Sequence, residues 1–292
     1  MYEGRKVYAI VLAAGSGRRM HSKQKKQFME VLGKPLFAWS AEKFDSHPSI
    51  DGIIITTSEE DISYMKSLTG FKNSNTGDAS DVIMDAGSAS FCTEPETPGT
   101  VSNDTKTAAS VTGSCALSKL CAIIPGGKER YNSVYNGLAA IKESEHIDTD
   151  SASAENEPIV LIHDCARPML TDSIIDDSIR YAAKYHAAAI GMPVKDTIKI
   201  LDADHFVKST PERSSVWLME TPQSFDFSLI YNAYTKLIEQ EKAGQLMIPV
   251  TDDAMVVEAY SGARVKIVAG TYENIKITTP EDIKIAELYL SR

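Results

Sequence analysis

The amino-acid sequence predicts an α/β fold of the doubly wound kind, with a mostly parallel sheet covered by helices on both faces. Five short apolar runs rich in β-branched residues recur along the chain, and helix-like spacing separates most of them. These runs are continuous rather than alternating, which is typical of strands buried on both faces. Ligands of such sheets bind at the carboxyl ends of the strands, so a site is expected in the loops that follow them.

The predicted strands are, in chain order, VYAIVLAA, GIIITT, CAIIPGG, PIVLIHD and ARVKIVAG. Helical spacing is clearest over 35–44 and 132–141, directly after the first loop and after the third strand. Between 195 and 221 polar and apolar residues alternate around a turn-like DADH, which predicts a β-hairpin arm at about 195–216. Such a hairpin either meets a partner subunit or packs on its own domain, and both interpretations stay open.

Two segments interrupt this pattern. Residues from about 70 to 118 are rich in Ser, Thr, Gly, Asn and Asp and have no sustained period, which predicts a long insertion. A shorter solvated loop is expected at about 143–157, which contains DTDSASAEN. The whole chain, residues 1–292, is predicted to form a single domain that contains these segments.

Composition narrows the class of protein. The chain has 40 acidic and 30 basic residues and a formal net charge of -10, which disfavours nucleic acid or a membrane surface as a partner. Its four cysteines form no C-x-x-C pair, and no histidine lies at zinc-finger spacing, so neither a disulfide framework nor structural zinc is indicated. The first apolar run is too short to span a membrane and no signal cleavage site follows it. We therefore expect a cytoplasmic protein.

The loop after the first strand, AAGSGRRM, carries a local basic cluster. Five cations fall within nine positions: Arg18, Arg19, Lys23, Lys25 and Lys26. The spacing fits neither a P-loop nor a dinucleotide-binding fingerprint, whose third glycine is replaced here. So many like charges repel one another unless a multiply charged anion lies among them, and a triphosphate is a natural candidate. The alternative is an ordinary turn with solvated charges.

Two further loops follow predicted strands. In PGGKERYNSV a glycine pair precedes a helix, where backbone N–H groups and Ser133 can bind a base edge or a phosphate. In LIHDCARP, Asp164 can ligate Mg²⁺ through oxygen and Arg167 can bind a phosphate group. For both loops ordinary turn chemistry is the alternative interpretation.

Two later motifs are less decisive. TDDAMVVEA is typical of a helix start, where Asp253 would interact favourably with the helix dipole, and a structural role is favoured there. NIKITTPEDI predicts a short strand containing Lys276 before the last helix. The side chain of this lysine would point either to solvent or into a crevice.

Taken in order, eight motifs of the chain resemble those of the 2-C-methyl-D-erythritol 4-phosphate cytidylyltransferase family: AAGSGRRM, KKQF, GGKERYNSV, HDCARP, PVKDT, TPQSF, TDDA and ENIKITTPEDI. The resemblance implies a Rossmann-like nucleotidyltransferase. This enzyme would transfer a cytidylyl group from CTP to a polyol phosphate, methylerythritol phosphate, and release pyrophosphate in non-mevalonate isoprenoid synthesis. It also implies Mg²⁺ as cofactor and a homodimer formed through the hairpin arm.

The resemblance further implies roles for individual residues. The catalytic cations would be Arg19, Lys26 and Lys276, and Asp164 would be the carboxylate associated with Mg²⁺. The nucleotide would contact Ala14, Gly15, Gly17, Gly127 and Ser133. The acceptor would contact Arg167, Thr197, Arg213 and Thr221, with Arg213 coming from the partner subunit. Lys128 stands where the family commonly has Asp, so the residue at the position expected to contact the base or ribose departs from the family pattern.

Two alternatives stay open. The related ribitol 5-phosphate cytidylyltransferases perform similar chemistry on a cell-wall polyol, and a few hydrogen bonds around the acceptor can change that preference. A non-catalytic nucleotide-binding protein can also retain such a fold, because function depends on the site rather than on the fold. The presence of all four expected charged groups at Arg19, Lys26, Asp164 and Lys276 favours an enzyme.

Overall fold

The computed structural model describes residues 1–15, 20, 24–71, 115–149, 156–246 and 248–292. Gly17, Arg18, Arg19 and Lys23 of the basic loop lie outside the described residues. So do nearly all of the insertion expected at 70–118 and the middle of the loop expected at 143–157. The described part of that second loop begins as helix, because the preceding helix continues through Glu145.

The strands in the described part of the chain are β1 (Val7–Leu12), β2 (Glu30–Val31), β3 (Lys34–Pro35), β4 (Gly52–Thr57), β5 (Leu120–Pro125), β6 (Ile159–Asp164), β7 (Ala187–Pro193), β8 (Ile200–Leu201), β9 (Val207–Ser209), β10 (Trp217–Asp226) and β11 (Lys266–Ala269). The helices are α1 (Leu36–Ser46), α2 (Ile62–Thr69), α3 (Arg130–Glu145), α4 (Asp172–Tyr185), α5 (Phe227–Lys242), α6 (Asp253–Ser261) and α7 (Pro280–Leu290). The five predicted strands are all present, as β1, β4, β5, β6 and β11. None of these described helices is long and apolar enough to span a membrane.

Seven strands form one central sheet in the order β11-β7-β10-β6-β1-β4-β5. Strand β1 lies at its centre and pairs in parallel with β4 on one side and β6 on the other. Only β10 runs antiparallel to its neighbours among these strands. The mostly parallel doubly wound fold predicted from the sequence is thereby confirmed, with one reversed strand that the sequence interpretation did not include.

Successive residues of β1 supply two separate cores. Val7 and Val11 lie in one apolar cluster with residues of α1, α2 and α4. Tyr8 and Ile10 lie in the other, with residues of α3, α5 and α6. This arrangement follows from the side-chain period of two in a strand that is covered on both faces. Fully burying each such side chain contributes roughly 1.5–3 kcal/mol to folding.

A smaller third cluster supports the carboxyl edge of the sheet. It joins Val31 of the β2–β3 ribbon, Ala166 after β6, Ile277 before α7 and Ala286 within α7. The Ile277 N–H also donates to the Ala166 carbonyl at 2.8 Å. The segment containing Lys276 is therefore held beside the end of β6 without being a strand, which corrects the short strand expected there.

The segment expected to form a hairpin contains a two-stranded antiparallel ribbon, β8–β9, whose residues are all exposed. Val194 N–H donates to the Val216 carbonyl at 3.1 Å and closes the base of this excursion. The alternating sequence after residue 216 belongs instead to β10 of the central sheet.

Candidate active site

The carboxyl ends of β1, β5 and β6 open onto one cavity of about 400 Å³. Its lining includes seven residues singled out from the sequence: Ala14, Gly15, Lys26, Gly127, Ser133, Asp164 and Lys276. Lys128, Glu129 and Arg130, from the turn that opens α3, also line it. The cavity thus gathers three loops that are far apart in the sequence at the edge where doubly wound sheets bind ligands.

The glycine pair before α3 permits close packing of two of these loops. A Cβ on Gly126 would lie 2.6 Å from the Cβ of Ala14 and 2.8 Å from the Ser133 hydroxyl oxygen. One on Gly127 would lie 2.1 Å from the Cβ of Asn132. The Gly127 N–H donates to the Ser133 hydroxyl oxygen at 3.0 Å, so this hydroxyl holds the turn in place. Glycine is required here by close approach rather than by a left-handed backbone.

Asp164 is the last residue of β6, and its carboxylate lies between two cations. One oxygen accepts from Arg130 Nε at 3.1 Å, and the other accepts from Lys276 Nζ at 2.6 Å. Burial alone would raise the pKa of Asp164, but the charges of Arg130 and Lys276 hold it well below its usual range. The carboxylate is therefore ionised at neutral pH, with each of its oxygens bonded to a cationic side chain.

Arg130 connects Asp164 to a second buried carboxylate. Its two terminal nitrogens donate to the two oxygens of Asp253, each at 2.8 Å. The Tyr234 hydroxyl donates to the same carboxylate, and both Asp253 and Tyr234 are fully buried. Burial lowers the pKa of Arg130, but the charges of Asp253 and Asp164 more than compensate and raise it above its ordinary value.

The side chains of two neighbouring lysines in the basic loop point in different directions. Lys26 lines the cavity and donates to the Ile277 carbonyl at 2.9 Å, which places it beside Lys276. Lys25 points elsewhere, with its ammonium group bonded to Asp61 at 2.7 Å and to Glu60. Burial lowers the pKa of Lys25, but the hydrogen bonds to Asp61 and Glu60 more than compensate and raise it above its ordinary value. The cation cluster read from the sequence is thus divided, and Lys25 anchors the loop instead of facing the cavity.

Behind Asp164, the side chains of His163 and Thr221 are hydrogen-bonded to each other. Thr221 accepts from the Asp164 N–H at 3.1 Å, and its hydroxyl lies 3.1 Å from His163 Nδ1. His163 Nε2 lies 3.1 Å from the Arg167 carbonyl. Since a carbonyl only accepts, Nε2 carries the proton and Nδ1 accepts from Thr221. Thr221 therefore fixes the backbone at Asp164 and does not line the cavity.

The other residues expected to bind an acceptor lie away from this cavity in the described structure. The Arg167 guanidinium donates to the carbonyls of Asn274 at 2.7 Å and Met219 at 3.2 Å. Thr197 and Arg213 are exposed at the base of the β8–β9 excursion, where Arg213 donates to the Lys195 carbonyl at 3.3 Å. The chain by itself does not bring these groups to Lys26 and Lys276.

Sequence reasoning missed Arg130 and Asp253 as partners. Asp253 was assigned to the helix dipole, and α6 does begin there, with Asp252 as its N-cap accepting from the Met255 N–H at 2.9 Å. Gln223 of the TPQSF motif accepts from the N–H groups of Asp253 and Ala254, at 3.0 and 2.8 Å. The TPQSF and TDDA motifs thus work together to place one buried carboxylate opposite Arg130.

The donors at the cavity fit a magnesium ion that is shared with a substrate. In the described ranges, no group of three or more His, Cys, Asp or Glu side chains is arranged to hold a metal by itself. Asp164 supplies one ionised carboxylate at the cavity wall. Mg²⁺ is commonly bound through one or two carboxylates, substrate phosphates and water, so a single carboxylate is a sufficient protein contribution.

The chain is similar to proteins of one family over nearly its whole length. The family model of 2-C-methyl-D-erythritol 4-phosphate cytidylyltransferase matches residues 7–86 and 100–292. The protein of this name from Clostridium botulinum (strain Loch Maree) is 36% identical over 284 residues, which cover 97% of this chain and 96% of the relative. The one from Clostridium novyi is 37% identical over 282 residues, which cover 97% of this chain and 95% of the relative. The crystal structure of 4-diphosphocytidyl-2C-methyl-D-erythritol synthase from Anaerococcus prevotii matches with a TM-score of 0.66 and 29% identity, covering 99% of this chain and 98% of that one. The match of the family model to nearly the whole chain and the identity with these relatives show that this chain belongs to the 2-C-methyl-D-erythritol 4-phosphate cytidylyltransferase family.

Proposed function

We propose that the protein transfers the cytidylyl group of CTP to 2-C-methyl-D-erythritol 4-phosphate and releases pyrophosphate, as a step in isoprenoid biosynthesis. The proposal is supported by family membership over nearly the whole chain. The observation that carries it is the meeting of Lys26, Lys276 and Asp164 at one cavity on the carboxyl edge of the sheet. A triphosphate needs such cations, and a metal that accompanies it needs such a carboxylate.

The reaction needs positioning and charge stabilisation more than base catalysis. A phosphate monoester has a second pKa near 6, so the acceptor oxygen is already anionic at neutral pH. It attacks the α-phosphorus of CTP, and the bond from that phosphorus to the bridging oxygen breaks as pyrophosphate leaves. Lys26 and Lys276 stabilise the negative charge that builds up on the phosphoryl oxygens. Arg19, which lies outside the described residues, is assigned the same task by its place in the motif.

Asp164 would hold Mg²⁺, and the metal would neutralise phosphate charge and fix the geometry of the triphosphate. Both oxygens of this carboxylate are already occupied by Arg130 and Lys276. On binding of substrate and metal, Lys276 is proposed to leave Asp164 and bond to phosphate oxygen instead.

The acceptor side of the site is proposed to be completed by a second subunit. Arg213 and Thr197 are exposed beside the β8–β9 ribbon, and Ile200, Leu201, Phe206 and Val207 of this region are exposed apolar residues. Exposed apolar residues grouped on a ribbon favour a protein interface. We assign this interface to a homodimer, in which Arg213 contacts the acceptor phosphate bound by the partner. A cytoplasmic location agrees with the buried thiols of Cys115 and Cys165, which form no disulfide.

Pyrophosphate release is the direct test. Purified protein is incubated with CTP and Mg²⁺ and with methylerythritol 4-phosphate, ribitol 5-phosphate or no acceptor. We expect release only with methylerythritol phosphate. Lys26→Ala is expected to lower kcat by about 100-fold or more, since it removes one preorganised cation from the transition state.

Lys25→Ala is the matched control for this variant. It removes the same charge from the neighbouring residue, but that charge is bonded to Asp61 and Glu60. We expect kcat to change by less than about fivefold, because such partly exposed ion pairs contribute little. Equal losses in the two variants would show that the loop merely needs positive charge. Pyrophosphate release with ribitol phosphate alone would overturn the choice of acceptor. No release with any acceptor would overturn the proposal that the protein is a cytidylyltransferase.

A further inference from the structure

Asp253 is a fully buried carboxylate that touches neither the cavity nor, in the proposed function, any substrate. A buried charge of this kind is costly unless it is paired and hydrogen-bonded. Asp253 is paired with both terminal nitrogens of Arg130 at 2.8 Å and accepts a hydrogen bond from the Tyr234 hydroxyl. Its position on α6 is fixed by Gln223, which accepts from the N–H of Asp253 at 3.0 Å. Asp253 is therefore a fully paired buried carboxylate that is held in one position.

The hydrogen bonds of Arg130 are divided unequally between Asp253 and Asp164. Bidentate bonding uses both terminal nitrogens on Asp253, so the guanidinium reaches Asp164 only through Nε, at the longer distance of 3.1 Å. The positive charge of Arg130 is thus matched mainly by Asp253. The side chain of Arg130 is 29% exposed and lines the cavity, so it has room to turn toward Asp164 if Asp253 releases it.

We propose that Asp253 is a positioning residue: by holding Arg130 it prevents the guanidinium from neutralising Asp164, and so preserves the negative charge that a divalent cation requires. Once Lys276 has moved to phosphate, Asp164, Asp253 and Arg130 together carry one net negative charge. Without the charge of Asp253, the pair of Asp164 and Arg130 is neutral and attracts a cation far less. The inference rests on the proposed function, in which Asp164 holds the metal.

The contribution of the metal to nucleotide binding gives a readout that does not need turnover. Isothermal titration measures the Kd of CTP in EDTA and in excess Mg²⁺, without acceptor, and the ratio of the two is the effect of the metal. For Asp253→Asn we expect this ratio to fall by about tenfold, as is typical when a group supporting a metal ligand is lost. The Kd in EDTA is expected to stay close to the wild-type value, because neither Asp253 nor Asp164 is proposed to contact the nucleotide without the metal.

Asp252→Asn is the matched control. Asp252 is the neighbouring carboxylate and the N-cap of the same helix, but it bonds to Met255 N–H and Gln223 instead of Arg130. We expect the ratio to stay within about twofold of the wild type. An equal fall in the two variants would assign the effect to the start of α6 and overturn the inference. So would a wild-type ratio in folded Asp253→Asn, with folding checked by circular dichroism.

The double variant Arg130→Gln with Asp253→Asn tests the same idea without leaving a buried charge unpaired. It removes one positive and one negative charge, so Asp164 regains its net charge and the ratio returns toward the wild-type value. It also serves if Asp253→Asn alone does not fold; a ratio still reduced tenfold in the double variant would overturn the inference. The arm that tests the proposed function is Asp164→Asn. If that change leaves the ratio intact, Asp164 does not hold the metal, and the present inference falls with that assignment for a reason separate from Asp253.

Discussion

The imidazole of His163 lies one residue before Asp164 and is completely buried. Burial lowers its pKa to about 4, because desolvation outweighs the attraction of Asp164. The neutral ring accepts from Thr221 and bonds to the Arg167 carbonyl, and Thr221 in turn holds the Asp164 N–H. The backbone at Asp164 is thus held by a histidine that must stay uncharged.

This depressed pKa predicts acid sensitivity of the fold. Unfolded histidine has a pKa of about 6.5, so between about pH 6.5 and 4 the unfolded chain binds a proton that native His163 does not. The contribution of neutral His163 to the free energy of unfolding is fully present above pH 6.5. Below that pH it falls by about 1.4 kcal/mol per pH unit, or about 3 kcal/mol in all. We expect His163→Gln to remove this slope when urea unfolding is followed across the range. A His163 ring that titrates at or above pH 6 by NMR would contradict the prediction.

At the residue scale, sequence reasoning found the groups that directly follow strands. Asp164, Gly127 and Ala14 were placed at the cavity edge because the carboxyl ends of parallel strands share one side of a sheet. The pair of Arg130 and Asp253 is separated by 123 residues and lies between two helices, and no local pattern joins them. Lys25 and Lys26 are neighbours with the same charge, so only the three-dimensional positions of Glu60 and Asp61 distinguish them.

At the scale of elements, the predicted strands were those with long β-branched runs, and β7 and β10 were missed for definite reasons. β7 begins with three alanines directly after α4, and alanine is the strongest helix former. β10 contains Pro222, and proline in a run argues against a central strand. The sheet accommodates Pro222 because the pairing of β10 with β7 shifts register between Met219 and Gln223.

The turn between β5 and α3 gives a prediction at the same scale. In Gly126→Ala the new methyl group would meet Ala14 and Ser133, both of which line the cavity. We expect a loss of about 1–3 kcal/mol in unfolding free energy, typical of overpacking, together with a raised KM for CTP. Thermal unfolding and steady-state kinetics measure the two effects.

Gly52→Ala provides the comparison. Its methyl group would lie 2.5 Å from the Tyr8 ring and 2.8 Å from the Cys121 sulfur, at the start of β4 and so at the opposite edge of the sheet. We expect a similar loss of stability with an unchanged KM. If both variants raise KM alike, overpacking acts through general loosening of the fold, and the close contact between the two loops has no special part in nucleotide binding.

At the scale of the whole molecule, the proposed dimer predicts complementation between inactive variants. Lys26→Ala and Arg213→Ala are each expected to be inactive as homodimers. In a mixed dimer, one site combines the intact Lys26 of one subunit with the intact Arg213 of the other. After subunit exchange in an equal mixture, half of the dimers are mixed and each has one working site, so about a quarter of wild-type activity should return.

Sedimentation accompanies this experiment. Phe206→Glu, at an apolar side chain that is 72% exposed, should convert the dimer to monomers and remove activity. An active monomer at assay concentration, or a mixture that regains nothing although subunits exchange, would place Arg213 and its acceptor contact within a single chain.

The hydrogen bond from the Val194 N–H to the Val216 carbonyl has a consequence for how this protein can change over evolutionary time. The chain leaves the sheet at the end of β7 and rejoins it at the start of β10 at almost the same point, so the segment between them is a closed excursion. Lengthening or shortening such a segment alters loop-closure entropy only slightly and leaves the strand register intact. The cavity on β1, β5 and β6, which is proposed to bind the nucleotide, is insulated from such changes. One scaffold can therefore acquire new acceptors by revising some twenty residues while its CTP chemistry is inherited unaltered.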